Sequence, residues 1–542
     1  MKIRLFLFIV AVFSSLKLIA QEKAPKLVIG IVVDQMRYDY LDRFWNDFGE
    51  DGFKKLVKEG FSCKNVNYNF KPTYTGPGHA SIFTGTTPSV HGIVGNHWYS
   101  KEKAEVVYCV SDKDENGALF YSPNKMLVES LADKIRQHSN YKGKSFGVSL
   151  KDRGAILAAG QSANGAYWFN SKLGKWESSS YYESFKPLWL KKFNETDFFT
   201  TYLKNNWELT SDLANYDESA EDQNEFEKSF VKDGKTVFPY NLSELFKERG
   251  WDLLKSVPSG NQMTVDLATS IIKSEELGKD QHLDFLSLSL SSTDYIGHQF
   301  GVQSVEVQDA YVKLDLTLAA FISFLNSNIG KENYILFLSS DHGASMPTAY
   351  LESKKMPNGY INQKKIKTEL EGVLDDQFGA ANWITSMMNL NIYFNDTTLS
   401  KEQYDRMEVL TFSQKWLSQR AGIKAAFLKE DLLKNTGDGF FKMVSLGVND
   451  LSSGDIILLE EANWTSYSSK GSTHGSPYKY DTHIPLLIYG NQIHHGESSK
   501  EYDVIDIAPT IAMLSKMGFP NQSTGKLIKE LFIKRGKADK TH

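Results

Sequence analysis

A chain of 542 residues with 41% hydrophobic content can bury a large core and build more than one domain. Its composition excludes collagen-like, low-complexity and coiled-coil architectures. A net charge of −5 argues against a general affinity for nucleic acid or anionic membranes.

Residues 1–20 read as a secretory signal peptide: Lys2 and Arg4 precede the apolar run Leu5–Phe13, and a polar-to-small stretch ends at Ala20, the expected cut despite Leu18 three residues before it, with an uncleaved N-terminal anchor as the alternative. Their removal takes away three basic and no acidic residues, leaving 58 basic against 66 acidic and a net charge of −8. No later stretch is apolar for the ~18 residues that a membrane-spanning helix needs. Cys63 and Cys109 form an even number in an exported chain, which allows a disulfide, and neither has a partner at metal-site spacing.

The mature chain opens on Leu27–Val33, a β-branched run expected to be a strand buried on both faces of a parallel sheet, ending on Asp34. Carboxylates at such strand ends face the ligand crevice of α/β sheets, although a turn or cap aspartate reads the same way. Residues 35–60 carry Tyr40, Leu41, Phe44, Phe48 and Leu56 at helical intervals. In Thr75-Gly76-Pro77-Gly78-His79 an extended segment breaks into a helix, which predicts Pro77 at the first helical position and Thr75 at or near the N-cap. Taken alone, Thr75 reads as a capping threonine.

An amphipathic helix is predicted over Tyr121–Gln137, then a strand over Ser145–Leu150 that runs into Lys151 and Arg153. Those two cations point into the same crevice or form a solvated turn. Residues 160–255 are crowded with Tyr167, Trp168, Phe169, Trp176, Tyr181, Tyr182, Trp189 and Trp207, and read as an insertion capping the main domain. A strand at Leu283–Leu290 precedes Asp294 and His298, four residues apart and so on one face of a helical turn. Tyr334–Ser340 is another buried strand, ending on Asp341-His342-Gly343. A second insertion is expected at about 344–465. Beyond it lie the glycine-flanked His474, a last strand at Ile484–Gly490, a helix and a basic tail.

Asp34, Asp294, His298, Asp341, His342 and His474 thus gather at strand ends and one loop. Three carboxylates with three imidazoles suit zinc better than magnesium or calcium. Six donors divide between two ions, a device for clamping the attacking and leaving oxygens of a phosphoryl group. His79, His91 and His483 are expected to pack or hydrogen-bond instead.

With Asp34, Thr75-Gly76-Pro77-Gly78-His79, Asp294-x-x-x-His298, Asp341-His342-Gly343 and Thr473-His474-Gly475 in this order, the mature chain resembles the alkaline phosphatase superfamily. Its nearest likeness is to the monomeric PafA-type threonine phosphatases, in the same branch as the nucleotide pyrophosphatases/phosphodiesterases. The resemblance implies an α/β fold: a mostly parallel central sheet sandwiched between helices, with inserted cap segments, over residues 21–542. It implies two zinc ions, one on Asp294, His298 and His474, the other on Asp34, Asp341 and His342 with Thr75 as nucleophile. It further implies that Asn96, Lys151 and Arg153 contact the phosphoryl group, and that the substrates are small phosphate monoesters split by a monomeric periplasmic enzyme. A phosphodiesterase on the same metals is the alternative. A sulfatase would need a modified Cys or Ser in C/S-x-P-x-R, which is missing here, and a cofactor-independent phosphoglycerate mutase would use serine. From another class, the aromatic segment would suit an exported carbohydrate-binding protein.

Overall fold

The computed structural model describes residues 24–182, 186–232, 234–401 and 403–532, so the proposed signal stretch lies outside it. Along the chain the elements that build and hold the site are β1 (Leu27–Val33), β2 (Phe61–Asn67), α1 (Thr75–Thr84), β3 (Ser145–Ser149), α2 (Asp152–Ala159), β4 (Gly165–Asn170) and β5 (Lys175–Glu177). Then come α3 (Ser259–Ser274), β6 (Asp284–Leu290), α4 (Ser292–Phe300), α5 (Val305–Asn328) and β7 (Tyr334–Ser339). After α6 (Gln363–Phe378), β8 (Ile384–Met388), β9 (Asn391–Phe394), α7 (Arg406–Leu417), β10 (Ile423–Leu428) and β11 (Ile456–Glu460), the chain returns to the main sheet. It does so through β12 (His483–Gly490), β13 (Gly496–Ser498) and β14 (Tyr502–Asp503).

The main sheet has ten strands in the order β13-β2-β12-β7-β1-β6-β3-β4-β5, with β14 beside β2. β1 lies at its centre, parallel to β6 and β7, and β6 continues parallel to β3 and β3 to β4. β12 is antiparallel to both β7 and β2. The mostly parallel α/β sheet expected from the continuous apolar runs is present. Successive side chains of β1 serve opposite faces. Leu27, Ile29, Ile31 and Val33 join one core with Leu314, Leu318 and Phe321 of α5. Val28 and Val32 join another with Ile82 and Phe83 of α1. β1 is buried along its whole length and wholly apolar, so Asp34 marks its end; β6, equally buried, still carries Ser287 and Ser289.

Several local expectations are revised. Residues 35–60 form two short helices, Asp39–Arg43 and Phe53–Glu59, rather than one. The break is held by Asp315 of α5, whose carboxylate accepts the N–H of Gly49 at 2.7 Å and of Phe53 at 2.6 Å. Between Tyr121 and Gln137, helix begins only at Leu131, where Ser130 and Asp133 close a capping box. Leu127, inside the predicted span, lies before the helix and is exposed. Cys63 and Cys109 are free buried thiols in different core clusters, so they form no disulfide. Burial pushes the Cys109 thiol up to about 12.

Residues 160–255 are not a separate cap along their length. β4 and β5 extend the main sheet, and Tyr167, Trp176, Trp207, Phe230 and Tyr240 share the core of β1. In the second long segment, β8, β9, β11 and β10 form their own four-stranded sheet. Ile366, Leu370, Trp383, Val409 and Leu458 pack there in a cluster of their own. Lys71 fastens this unit to the strand leading into α1: its Nζ lies 2.5 Å from Glu460 Oε2 and donates to Leu458 O at 2.9 Å.

Candidate metal centre and nucleophile

The carboxyl ends of β1, β6 and β7 lie side by side, which brings Asp34, Asp294, Asp341 and His342 together at the middle of the sheet. Asp294 and His298 occupy successive turns of α4, with His298 Nε2 3.2 Å from Asp294 Oδ1. His474 comes in on its loop, Nε2 3.6 Å from the same oxygen, its ring stacked on that of His342 at 3.4 Å. Two compact donor groups result, Asp34–Asp341–His342 and Asp294–His342–His474, each with donor atoms within 4.8 Å of one another. His298 adjoins the second group through Asp294, so His342 stands between the two sets.

The three imidazoles share one device. Each points Nδ1 at a backbone carbonyl: His298 at Ser472 O (2.7 Å), His342 at Gly343 O (3.0 Å) and His474 at Thr73 O (2.7 Å). A carbonyl can only accept, so Nδ1 carries the proton and Nε2 turns its bare lone pair toward the carboxylate oxygens. Burial lowers the His342 pKa to about 3 and sets that of His474 well below its ordinary value, which keeps both rings neutral, the ligating form. His342 Nε2, Asp34 Oδ1 and Asp341 Oδ2 are buried without any hydrogen-bond partner, and the nitrogen lies 3.5 Å from each oxygen. Lone pairs facing one another in a dry site repel unless a cation lies between them. The donor set therefore fits a metal ion.

Charge points the same way. Burial raises the pKa values of Asp34 and Asp341 against the pull of Lys151, with Asp294 adding to both and Asp34 to that of Asp341. Asp294 is also penalised by burial, but its neighbours, His298 first and Lys151 next, outweigh that and hold it well below the usual carboxylate range. Lys151 Nζ lies 2.7 Å from Asp34 Oδ2 and 2.6 Å from Asp294 Oδ2. Burial alone would discharge this lysine, yet the two aspartates raise its pKa. The family resemblance implies that Lys151 contacts a phosphoryl group; here it braces the carboxylates of Asp34 and Asp294.

Thr75 sits at the edge of this cluster. It is the first residue of α1, after an extended Tyr74 at the N-cap whose side chain makes no capping bond. Pro77 is the third residue of that helix rather than the first. Thr75 Oγ1 is 3.5 Å from Lys151 Nζ and 3.5 Å from Arg153 Nη2, at the positive end of the helix dipole. Asn96 accepts the Gly76 N–H through Oδ1 at 2.7 Å, which leaves its Nδ2 to donate elsewhere. Arg153 is aimed by Tyr108, to which Nη1 donates at 3.3 Å and which in turn donates to Asp152. Tyr108 had no signal in the sequence.

His79 donates Nδ1–H to Thr75 O at 2.9 Å and accepts at Nε2 from Ser289 Oγ at 2.9 Å, with burial lowering its pKa to about 4. His91 bonds Ser81, and His483 stacks on Tyr38. Gly78 is held tight against the end of β7: a Cβ there would come within 2.3 Å of Asp341 O. We expect Gly78→Ala to destabilise the fold by about 1–3 kcal/mol and to lower activity, because α1 must retreat from Asp341. Thermal unfolding and turnover check it together, and wild-type values in both would contradict that contact.

An open cavity of about 290 Å³ adjoins the donors, lined among others by Tyr74, Asn96, His298, Asn389, Tyr467 and His474. Asn389 comes from the β8–β9 turn and donates to His97 O at 2.8 Å. Lys228 steadies the far wall, donating to His298 O at 2.9 Å and to Tyr467 OH at 3.1 Å.

A parallel-centred sheet with such donors at its carboxyl edge defines an α/β enzyme built around a metal centre. The profile of the type I phosphodiesterase/nucleotide pyrophosphatase family matches residues 28–485. Alkaline phosphatase PafA from Elizabethkingia meningoseptica is 38% identical over 516 residues, 94% of each chain. A protein from Myroides odoratus named a calcium-transporting ATPase is also 38% identical, over 96% of this chain and 97% of its own. The crystal structure of wild-type alkaline phosphatase PafA superposes with a TM-score of 0.89 at 37% identity, covering 94% of this chain and 99% of that one. The chain belongs to the type I phosphodiesterase/nucleotide pyrophosphatase family, on its PafA-type alkaline phosphatase branch.

Proposed function

We propose that this protein is a di-zinc alkaline phosphatase that hydrolyses small phosphate monoesters through a phosphothreonine on Thr75, releasing inorganic phosphate. The observation that carries the reading is the convergence of the orphaned oxygens of Asp34 and Asp341 and the His342 lone pair beside the Thr75 hydroxyl and two cations. The likeness to PafA and to an alkaline phosphatase from Synechococcus elongatus, 36% identical over 94% of this chain, supports the monoesterase activity.

Asp294, His298 and His474 would hold one zinc ion, and Asp34, Asp341 and His342 the other. When bound, the ions supply Lewis-acid charge that favours the alkoxide of Thr75 and eases departure of the alcohol oxygen. Thr75 Oγ1 forms the new O–P bond as the ester P–O bond breaks, and the departing alkoxide takes up a proton. Water then cleaves the Thr75 ester, which returns the hydroxyl and yields phosphate. The Nδ2 of Asn96, Lys151 and Arg153 bind the nonbridging oxygens, and the guanidinium matches two of them at once. A monoester carries one more charged oxygen than a diester, so cations placed there favour the monoester transition state.

The alternative, a phosphodiesterase on the same donors, is tested by that charge difference. The wild-type protein should turn over an aryl phosphate faster than the matching aryl methyl phosphate, and Lys151→Ala or Arg153→Ala should lower the first rate at least ten times more than the second, the order expected for losing one transition-state contact. A diester preference in the wild type, or equal losses in the variants, would reverse the assignment. The composition of residues 1–20 supports export, to the periplasm or the medium, where a monomer would act. No helix among the described residues is long and apolar enough to cross a membrane.

A further inference from the structure

Gln35 has no part in the reading above, yet it touches both donor groups. It follows Asp34 off the end of β1, is 2% exposed, and holds a φ of 67°, a left-handed backbone that residues with side chains rarely adopt. Such a conformation persists only where the surroundings over-determine it. Here they do so at three points. The Gln35 N–H donates to Asp341 Oδ1 at 3.2 Å, and its side-chain Nε2 donates to Asp294 Oδ1 at 2.7 Å. The next N–H, that of Met36, donates to Ser340 Oγ at 2.9 Å. The amide also fits against α4 only because residue 297 is glycine, where a Cβ would come within 1.9 Å of Gln35 Oε1.

Asp294 Oδ1 is the oxygen nearest the Nε2 atoms of both His298 and His474. A neutral amide donor there fixes the carboxylate rotamer without adding a charge that competes for the site, whereas Lys151 holds the other oxygen. The left-handed turn aims the backbone N–H at Asp341 on β7 and the side chain at Asp294 on α4, so one residue spans the gap between the groups. We propose that Gln35 is a positioning residue that sets the Asp294 carboxylate relative to Asp341, and so fixes the metal affinity of the Asp294 group and its registration with the other. The inference rests on the donor reading given above.

The test uses the purified protein stripped by a chelator and then titrated with zinc against a chromophoric competitor. Gln35→Met keeps the length and deletes the donor. Gln35→Gly deletes it too while relieving the backbone, so at least one variant should fold, as judged by the unfolding midpoint of the stripped protein. Both keep the N–H that serves Asp341. The wild type is expected to take two zinc ions. In each variant one binding step should weaken about 10–100-fold, the usual effect of losing a group that orients a ligand, while the other step stays at its wild-type affinity. With cobalt in place of zinc, the visible spectrum of only one ion should change. Two unchanged steps, or equal weakening of both, would overturn the role of Gln35. A wild type that takes up no zinc would overturn the donor reading itself and this role with it.

Discussion

Thr75→Ala should lose turnover of phosphate monoesters on the order of 10³-fold or more, as removal of a nucleophile that works as part of a unit does. The N-cap position belongs to Tyr74, and the polar neighbours of the Thr75 hydroxyl within 3.5 Å are Lys151 and Arg153. Its removal should therefore spare the helix: α1 is nucleated by the extended Tyr74 and packed by Ile82 and Phe83, none of which the substitution touches. Zinc content and the unfolding midpoint are expected to match the wild type. Thr75→Ser should keep substantial activity, because it retains the oxygen. The decisive experiment traps the protein after brief exposure to labelled phosphate ester and looks for label on residue 75. Wild-type turnover by Thr75→Ala, or label on another residue, would remove Thr75 from the mechanism.

Exhaustive chelation should abolish activity, and zinc should restore it. Three buried carboxylates face each other at the sheet edge, with Lys151 and Arg153 as the nearby cations. Their ionisation is opposed by burial and, for Asp34 and Asp341, by the like charge of Asp294. A divalent cation that binds the folded and not the unfolded chain stabilises it by about 4 kcal/mol at a thousand times its dissociation constant. The stripped protein should thus unfold at a lower temperature as well as being inactive. Magnesium or calcium should restore little, since imidazole nitrogens make up half of the six donors and hard cations prefer oxygen. Full turnover with no metal detectable in the protein would rule out the metal centre.

The strands that carry the donors are readable because parallel strands buried on both faces are mostly apolar, as β1 and β7 are, although β6 carries Ser287 and Ser289. Leu27–Val33 and Tyr334–Ser339 therefore announce their ends with Asp34 and Asp341. The i, i+4 spacing of Asp294 and His298 on α4 was equally plain. The antiparallel run of β12 was hidden, because an apolar run carries no direction and its partners β2 and β7 are hundreds or scores of residues away. Helix boundaries near Leu131 and Phe53 depended on Ser130, Asp133 and the distant Asp315, so periodicity alone extended those helices too far. Gln35 and Tyr108 left no trace at all: each matters through what the fold lays beside it, the carboxylates of Asp294 and Asp341 for one and the guanidinium of Arg153 for the other. The aromatic crowd at 160–255 misled in the opposite sense. The rings read as an insertion capping the main domain, yet most of them fill the same core as β1.

The unit that holds β8 to β11 packs its apolar residues around itself and meets the mouth of the site at Asn389, while Thr465 to Tyr467 just beyond β11 complete that wall. Rim and reaction centre therefore answer to different constraints. Changes at Asn389 or Tyr467 can be absorbed without moving β1, β6 or β7, whereas nearly any change at the sheet edge disturbs several charged groups at once. Variation and engineering should thus find the choice of departing alcohol an adjustable property, and the splitting of the phosphate ester a fixed one.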